Sequence, residues 1–269
     1  NGAMYQSAWM IGPLIGGLLY VPLGPGYCFI LNALSYVAVC VALLLMEPER
    51  TVMRMRSQSV WSEVADGIKL VFADPLLRTL LGIVSLMTLF GSPHWSLIPA
   101  WAVQVFAGDA KISGYLTASR GAGALTGALV MAYLGPGSVR RKAFISGVIL
   151  VPAMLLCLSL VKSLFMALIV VFILGWAFLV VWNSAIAMVQ ERVQDEMRGR
   201  VCAVLSTALF GMGPLCSLWA GWLAPYRGIP FVFAVSGSLT LFGLLPLLGL
   251  SVGSLPKYSG EHAQLELRH

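Results

Sequence analysis

The amino-acid sequence predicts an all-α fold, a polytopic bundle of transmembrane helices, on three observations. Of the 269 residues, 59% are apolar and 10% are charged, and the mean hydropathy of +0.88 lies well outside the range of soluble domains. Eight runs of about 20 residues carry few or no charges, the length an α-helix needs to cross a hydrocarbon core about 30 Å thick. These runs are continuously apolar rather than alternating, which argues against a strand barrel, the other way to satisfy every backbone group in lipid. The third observation is that basic residues collect in every second connection.

In order, the spans are expected from Ala3 to Val21, Gly26 to Met46, Arg78 to Phe106, Ser113 to Leu134, Ala143 to Val161, Ser163 to Val189, Val201 to Leu223 and Ile229 to Ser251. Thirteen of the 17 Lys and Arg residues fall in one set of connections, among them Arg50, Arg54, Arg56, Arg140, Arg141, Arg198 and Arg200. The opposite set holds Lys111, Lys162 and Arg227, and Arg120 lies inside a span. Cytoplasmic loops retain Lys and Arg, so the first set and the C-terminus are expected in the cytoplasm, the protein being multi-pass in the plasma (inner) membrane. The net charge of +6 is then a topology signal and calls for no nucleic-acid partner.

The first span contains Gly12-Pro13-Leu14-Ile15-Gly16-Gly17. Pro13 removes a backbone hydrogen bond and the glycines remove bulk, so Gly12, Pro13, Gly16 and Gly17 form either a kinked packing face or a functional hinge. Leu23-Gly24-Pro25-Gly26 joins the first two spans as a tight hairpin. Residues 1–46 therefore hold two spans, and 47–77 form a charged linker. Within that linker Trp61, Val64, Ile68 and Val71 repeat at helical spacing with Glu63, Asp66 and Lys69 on the other side, the pattern of a helix lying on a membrane surface.

Residues 78–251 hold the other six spans and 252–269 a cytoplasmic tail. Ser92-Pro93-His94-Trp95 and Pro99 should break or kink the third span, which is tolerated where backbone is shielded by protein or lines a cavity. The fourth carries Gly121, Gly123 and Gly127; no strand precedes them, so they are no nucleotide fingerprint. The sixth places Trp176, Asn183, Ala187 and Gln190 on a polar stripe expected to face inward. The five cysteines lie in or at the ends of spans without Cys-x-x-Cys spacing, and no His-Glu-x-x-His occurs. No metal, cofactor or enzymatic activity is expected.

Gly213-Pro214-Leu215-Cys216-Ser217 repeats the Gly12 motif at an offset of 201 residues, and Gly228 and Phe231 keep step with Gly26 and Phe29. A repeat of that period places four further spans, about 120 residues, upstream, giving twelve spans in two halves of six.

Here the sequence resembles the major facilitator superfamily of secondary transporters, in the branch of the enterobactin exporter and the macrolide-efflux proteins. Gly12-Pro13-x-x-Gly16-Gly17 looks like the antiporter motif of the fifth helix, and Phe29-x-Leu31-Asn32-Ala33-Leu34-Ser35 like the sixth. Asp74-Pro75-Leu76-Leu77-Arg78 is similar to the entry into the seventh, and Arg198-Gly199-Arg200-Val201 with Gly213-Pro214 to the tenth-to-eleventh connection and the helix after it. Against the pattern, residues 135–142 are purely basic, which leaves no acidic partner for a charge relay in that loop. The resemblance implies alternating access by two six-helix halves, the first four helices lying outside this sequence, with Gly12, Pro13, Gly16, Gly17, Gly213 and Pro214 as a gating or packing motif.

An ionisable group in a span costs about 2.5 to 3.5 kcal/mol on insertion scales, so His94 and Arg120 are the first substrate-binding candidates. Trp95, Trp182 and Asn183 would add flat apolar walls and a hydrogen bond. All 11 acidic residues lie in loops, the tail or span ends, so the carrier of a coupling proton is either His94 or a residue upstream. The expected activity is export of a small amphipathic compound, siderophore-like or drug-like, by proton-coupled antiport, as a monomer in contact with membrane lipid. The alternatives are a channel or lipid-translocating protein, and an inactive truncated transporter or membrane interaction module.

Overall fold

The computed structural model describes residues 23, 26–45, 60–133 and 138–254, which form helices and short connections with no strand among them. We label the helices α1 (Gly26–Leu45), α2 (Val60–Ala73), α3 (Pro75–Gly91), α4 (Pro93–Phe106), α5 (Ala110–Tyr133), α6 (Ser138–Leu160), α7 (Leu164–Arg192), α8 (Asp195–Arg227) and α9 (Ile229–Ser254). Seven of the eight expected spans fall on these helices, with α3 and α4 together forming the third. The span from Ala3 to Val21, with Gly12, Pro13, Gly16 and Gly17, lies outside the described residues, as does the end of the tail. Among the described residues, six helices or helix pairs are both long and apolar enough to cross a membrane. Helix α5, with 24 residues, has the length, but its Ser, Thr, Gly and Arg residues dilute its apolarity.

Several helices begin before the expected spans do. α3 starts at Pro75 because the Asp74 carboxylate caps it, accepting from the Leu76 N–H at 2.8 Å and the Leu77 N–H at 3.4 Å, while proline fits the first helical position. α6 starts at Ser138 and α8 at Asp195, so Arg140, Arg141, Arg198 and Arg200 ride on first turns rather than in loops. Long basic side chains reach polar surroundings from inside a helix, so a charge does not mark its end.

The third span breaks where expected, at Ser92-Pro93, and the carbonyls this exposes are reclaimed by side chains. In a continuous helix residue 93 would donate to Leu89, but proline has no N–H. The Trp219 indole N–H of α8 donates to the Leu89 carbonyl instead, at 2.8 Å. The Ser236 hydroxyl of α9 donates to the Phe90 carbonyl, and the Ser92 hydroxyl turns back to the Thr88 carbonyl. The break is therefore a built joint, sealed by α8 and α9 in a medium that offers no water in exchange.

Two further features hold the bundle. Buried Trp101 of α4 meets Phe233 of α9 edge-on at 5.4 Å, beside a core that includes Leu77, Ile83, Phe144, Val151 and Leu155. Between α5 and α7 glycines set the spacing: a Cβ on Gly123 would lie 1.9 Å from the Phe172 carbonyl oxygen, and one on Gly175 would lie 2.0 Å from that of Arg120. Only hydrogen fits at those two crossings, and Ser119 Oγ uses the closeness to donate to the Leu168 carbonyl at 2.8 Å.

Candidate functional site

The joint in the third span is where the ionisable and aromatic candidates meet. Pro93 starts α4, which puts His94 and Trp95 on its first turn, immediately after the break. His94 is fully buried, and neither ring nitrogen makes a regular hydrogen bond among the described residues, although the Gly91 carbonyl is an electrostatic neighbour. Its ring lies 5.5 Å from Phe178 of α7 and 6.3 Å from Trp95, and Trp95 and Phe178 are 5.9 Å apart. Three aromatic rings from two helices thus form one compact group.

Arg120 joins them from α5. Its guanidinium carbon sits 5.0 Å from the Trp95 ring centroid, a cation–π contact worth about 0.5 to 2 kcal/mol depending on how much water is excluded. It is turned into the bundle, and its backbone is pressed against Gly175, so the glycine crossing of α5 and α7 also fixes the height at which this cation enters. The group combines a positive charge, a half-exposed indole face, an imidazole and a phenyl ring, which suits an aromatic molecule with a polar or acidic group.

Of the sequence candidates, the structure brings His94, Trp95 and Arg120 together. Trp182 packs against the bundle core and Asn183 is half-buried, just over one turn along α7 from Phe178; neither joins the described ring contacts. Trp176 of the expected inward stripe is half-buried against the Gly127 crossing, whereas Gln190 is exposed at the end of α7. Gly213 and Pro214 lie within α8, and a Cβ on Gly213 would meet nothing within 4 Å among the described atoms. Sequence reasoning missed Phe178, whose one signal was its place four residues before Trp182.

At the other end of α3 lies a separate, ion-paired region. Asp74 Oδ2 accepts from Arg192 Nε at 2.9 Å, Arg140 pairs with Glu191, and Arg200 spans Asp66 at 3.5 Å and Glu63 at 3.7 Å. Partial burial pushes the Asp74 carboxyl up, but the Arg192 hydrogen bond, the Leu76 and Leu77 N–H groups and the guanidinium charge outweigh it. The pKa therefore lies below the ordinary 3.8. A cavity of about 410 Å³ opens beside the Asp74–Arg192 pair over Leu77, Val193 and Met197, and shares no residue with the His94 group.

Comparison with known proteins bears on what such a bundle does. The profile of the transmembrane secretion effector family, a branch of the major facilitator superfamily, matches residues 2–264. The multidrug efflux pump Tap of Mycolicibacterium fortuitum is 25% identical over 252 residues, covering 90% of this chain and 60% of that protein. The multidrug efflux pumps Tap of Mycobacterium bovis (strain BCG / Pasteur 1173P2) and Mycobacterium tuberculosis (strain ATCC 25618 / H37Rv) are each 26% identical over 238 residues, covering 86% of this chain and 56% of theirs. The chain thus spans a little over half the length of these curated relatives.

Proposed function

The chain belongs to the transmembrane secretion effector family of the major facilitator superfamily, and on that footing we propose that it works as part of an efflux transporter for small amphipathic, drug-like or siderophore-like compounds. The observation that carries this reading is the convergence of His94, Trp95, Phe178 and Arg120 at the joint between α3 and α4. A rigid span could not bend at its binding residues. Here α3 and α4 are separate helices whose backbone is sealed at Ser92-Pro93, so α4 can tilt and carry His94 and Trp95 with it while the seal to α8 and α9 holds. The names of the relatives support a drug-like cargo.

Proton antiport falls to the imidazole on this proposal. Among the described residues every Asp and Glu lies outside the spans or at a span end, and His94 is the interior side chain of a type that changes charge near neutral pH. Protonated His94 and Arg120 would repel each other across the group, so arrival of a proton forces the rings apart. Proton and cargo then compete, because the cargo is held by the compact arrangement. The C-terminus and the Arg-rich connections face the cytoplasm in this scheme, following the loop charges.

The test is export of a matched acidic and neutral compound pair across a pH series, from cells carrying the protein expressed from its complete reading frame. Arg120→Ala should reduce export of the acidic compound about tenfold or more and the neutral one less, matching the loss of roughly 1.4 kcal/mol of cargo binding. His94→Ala should flatten the pH profile with a smaller effect on selectivity. Equal losses for both compounds with an unchanged profile would reduce these residues to a purely structural role. Flux that ignores the proton gradient would favour the channel alternative.

A further inference from the structure

Helix α2 divides into an acidic and an apolar side much as its sequence suggests, and the acidic side is the one that meets the protein. Its carboxylates, expected to face water, turn toward the protein: Glu63 and Asp66 both reach Arg200 on the first turns of α8, at 3.7 and 3.5 Å. Gly67 lies against the same residue, where a Cβ would stand 3.2 Å from the Arg200 Cβ and carbonyl oxygen, and Val71 is fully buried. The face left over is apolar. Val64, Ile68 and Phe72, spaced four apart, are 44%, 41% and 57% exposed, and Lys69, exposed beside them, is the charge on that side.

The level of this stripe is fixed by the neighbouring span. Only Asp74 separates α2 from Pro75, the first residue of a 32-residue membrane span. The corner is tied: the Asp74 N–H donates to the Leu70 carbonyl at 3.1 Å, Arg78 Nη1 reaches the Phe72 carbonyl at 3.4 Å, and Asp74 holds Arg192 of α7. Phe72 is therefore held at the membrane boundary, not on a loose arm. The outward face, with its acids turned inward onto Arg200, presents apolar side chains flanked by Lys69, and exposed Arg78 follows on the first turn of α3. An apolar stripe at boundary depth with cations at its edge has the chemistry that fits a bilayer surface bearing anionic headgroups.

We infer that α2 is an interfacial anchor whose Val64, Ile68 and Phe72 bed into the headgroup and acyl boundary of an anionic lipid leaflet, while Glu63 and Asp66 pin its other face to Arg200. The anchor fixes the entry into α3 against both the membrane and the start of α8, and its role is independent of what the His94 group binds.

The test places single spin labels at Ile68→Cys and Phe72→Cys, with Val64→Cys as a third site, in the protein from its complete reading frame reconstituted in lipid nanodiscs. Accessibility to oxygen and to a water-soluble nickel chelate is then compared. The expected result is access for oxygen several-fold above that for nickel at all three sites. That contrast should deepen when one third of the lipid is phosphatidylglycerol, and the added depth should vanish in Lys69→Glu. Nickel access equal to that of an exposed loop overturns the proposal. Shielding from both reagents also overturns it, since another part of the chain or a second copy then covers the face. An unchanged contrast between neutral and anionic discs removes the anionic preference and with it the proposal as stated.

Discussion

At the scale of single residues, charge in an apolar run is the loudest signal a membrane sequence carries, because each instance costs free energy that something must offset. That is why the sequence singles out His94 and Arg120 as candidates and passes over Phe178, which the structure places beside them: a phenylalanine in an apolar helix has the same appearance whether it packs on such a group or meets lipid. The contact of Arg120 with Trp95 predicts a graded effect of substitution. Trp95→Phe keeps a ring face and should retain most export of aromatic compounds, whereas Trp95→Ala should lower it several-fold, as a loss of about 1 kcal/mol implies. Equal export by the two variants would detach the indole from the site. Asp74 gives a prediction of known sign. Its pKa is lowered in the folded protein, so its contribution to stability is complete above about 3.8 and is lost as pH falls through the lowered value. Asp74→Asn should therefore narrow the difference in detergent-denaturation midpoint between pH 7 and pH 3, and should cost about 1 kcal/mol at pH 7 through the weakened cap and ion pair.

At the scale of elements, the break at Ser92-Pro93 was legible because proline has no N–H to give, but the seal was not. Trp219 and Ser236 lie more than 100 residues away, and nothing local marks them as partners of Leu89 and Phe90. Trp219→Phe and Ser236→Ala should each lower stability by about 1 kcal/mol, read as an earlier midpoint in a denaturing-detergent titration, with the pair together costing more than either alone. No change in midpoint would mean that water or lipid headgroups already serve those carbonyls. The amphipathic pattern of α2 was also legible, yet its rotation was not. Glu63, Asp66 and Lys69 share a polar arc in sequence, but Arg200 draws the two acids to one side and leaves Lys69 on the other. Periodicity gives the division between faces; the partner decides which face turns inward.

At the scale of the whole molecule, the alternation of helices puts every described ion pair at one end of the bundle. Asp74–Arg192, Arg140–Glu191 and Arg200 with Glu63 and Asp66 join the starts of α3, α6 and α8 to α2 and the end of α7. Lys111, Lys162 and Arg227 lie by the opposite connections, near the starts of α5, α7 and α9. Seven of the eight expected spans fall on described helices in the expected order, which apolar length marks because the bilayer imposes it, whereas the α5–α7 crossing depends on matched glycines that sequence shows only as small residues. The two ends differ in charge, and charge asymmetry orients a membrane protein, so the Arg-rich end should lie in the cytoplasm. Substitution of the five native cysteines, followed by single cysteines in place of Arg78, Arg141 or Arg198, gives a direct readout with an impermeant thiol reagent. In intact cells those three positions should stay unlabelled until the membrane is opened. Cysteines in place of Lys111, Lys162 or Arg227 should react at once, because they lie by the connections on the other side. Ready labelling at 78, 141 and 198 with protection at 111, 162 and 227 would invert the protein, and would turn the proposed efflux direction around with it.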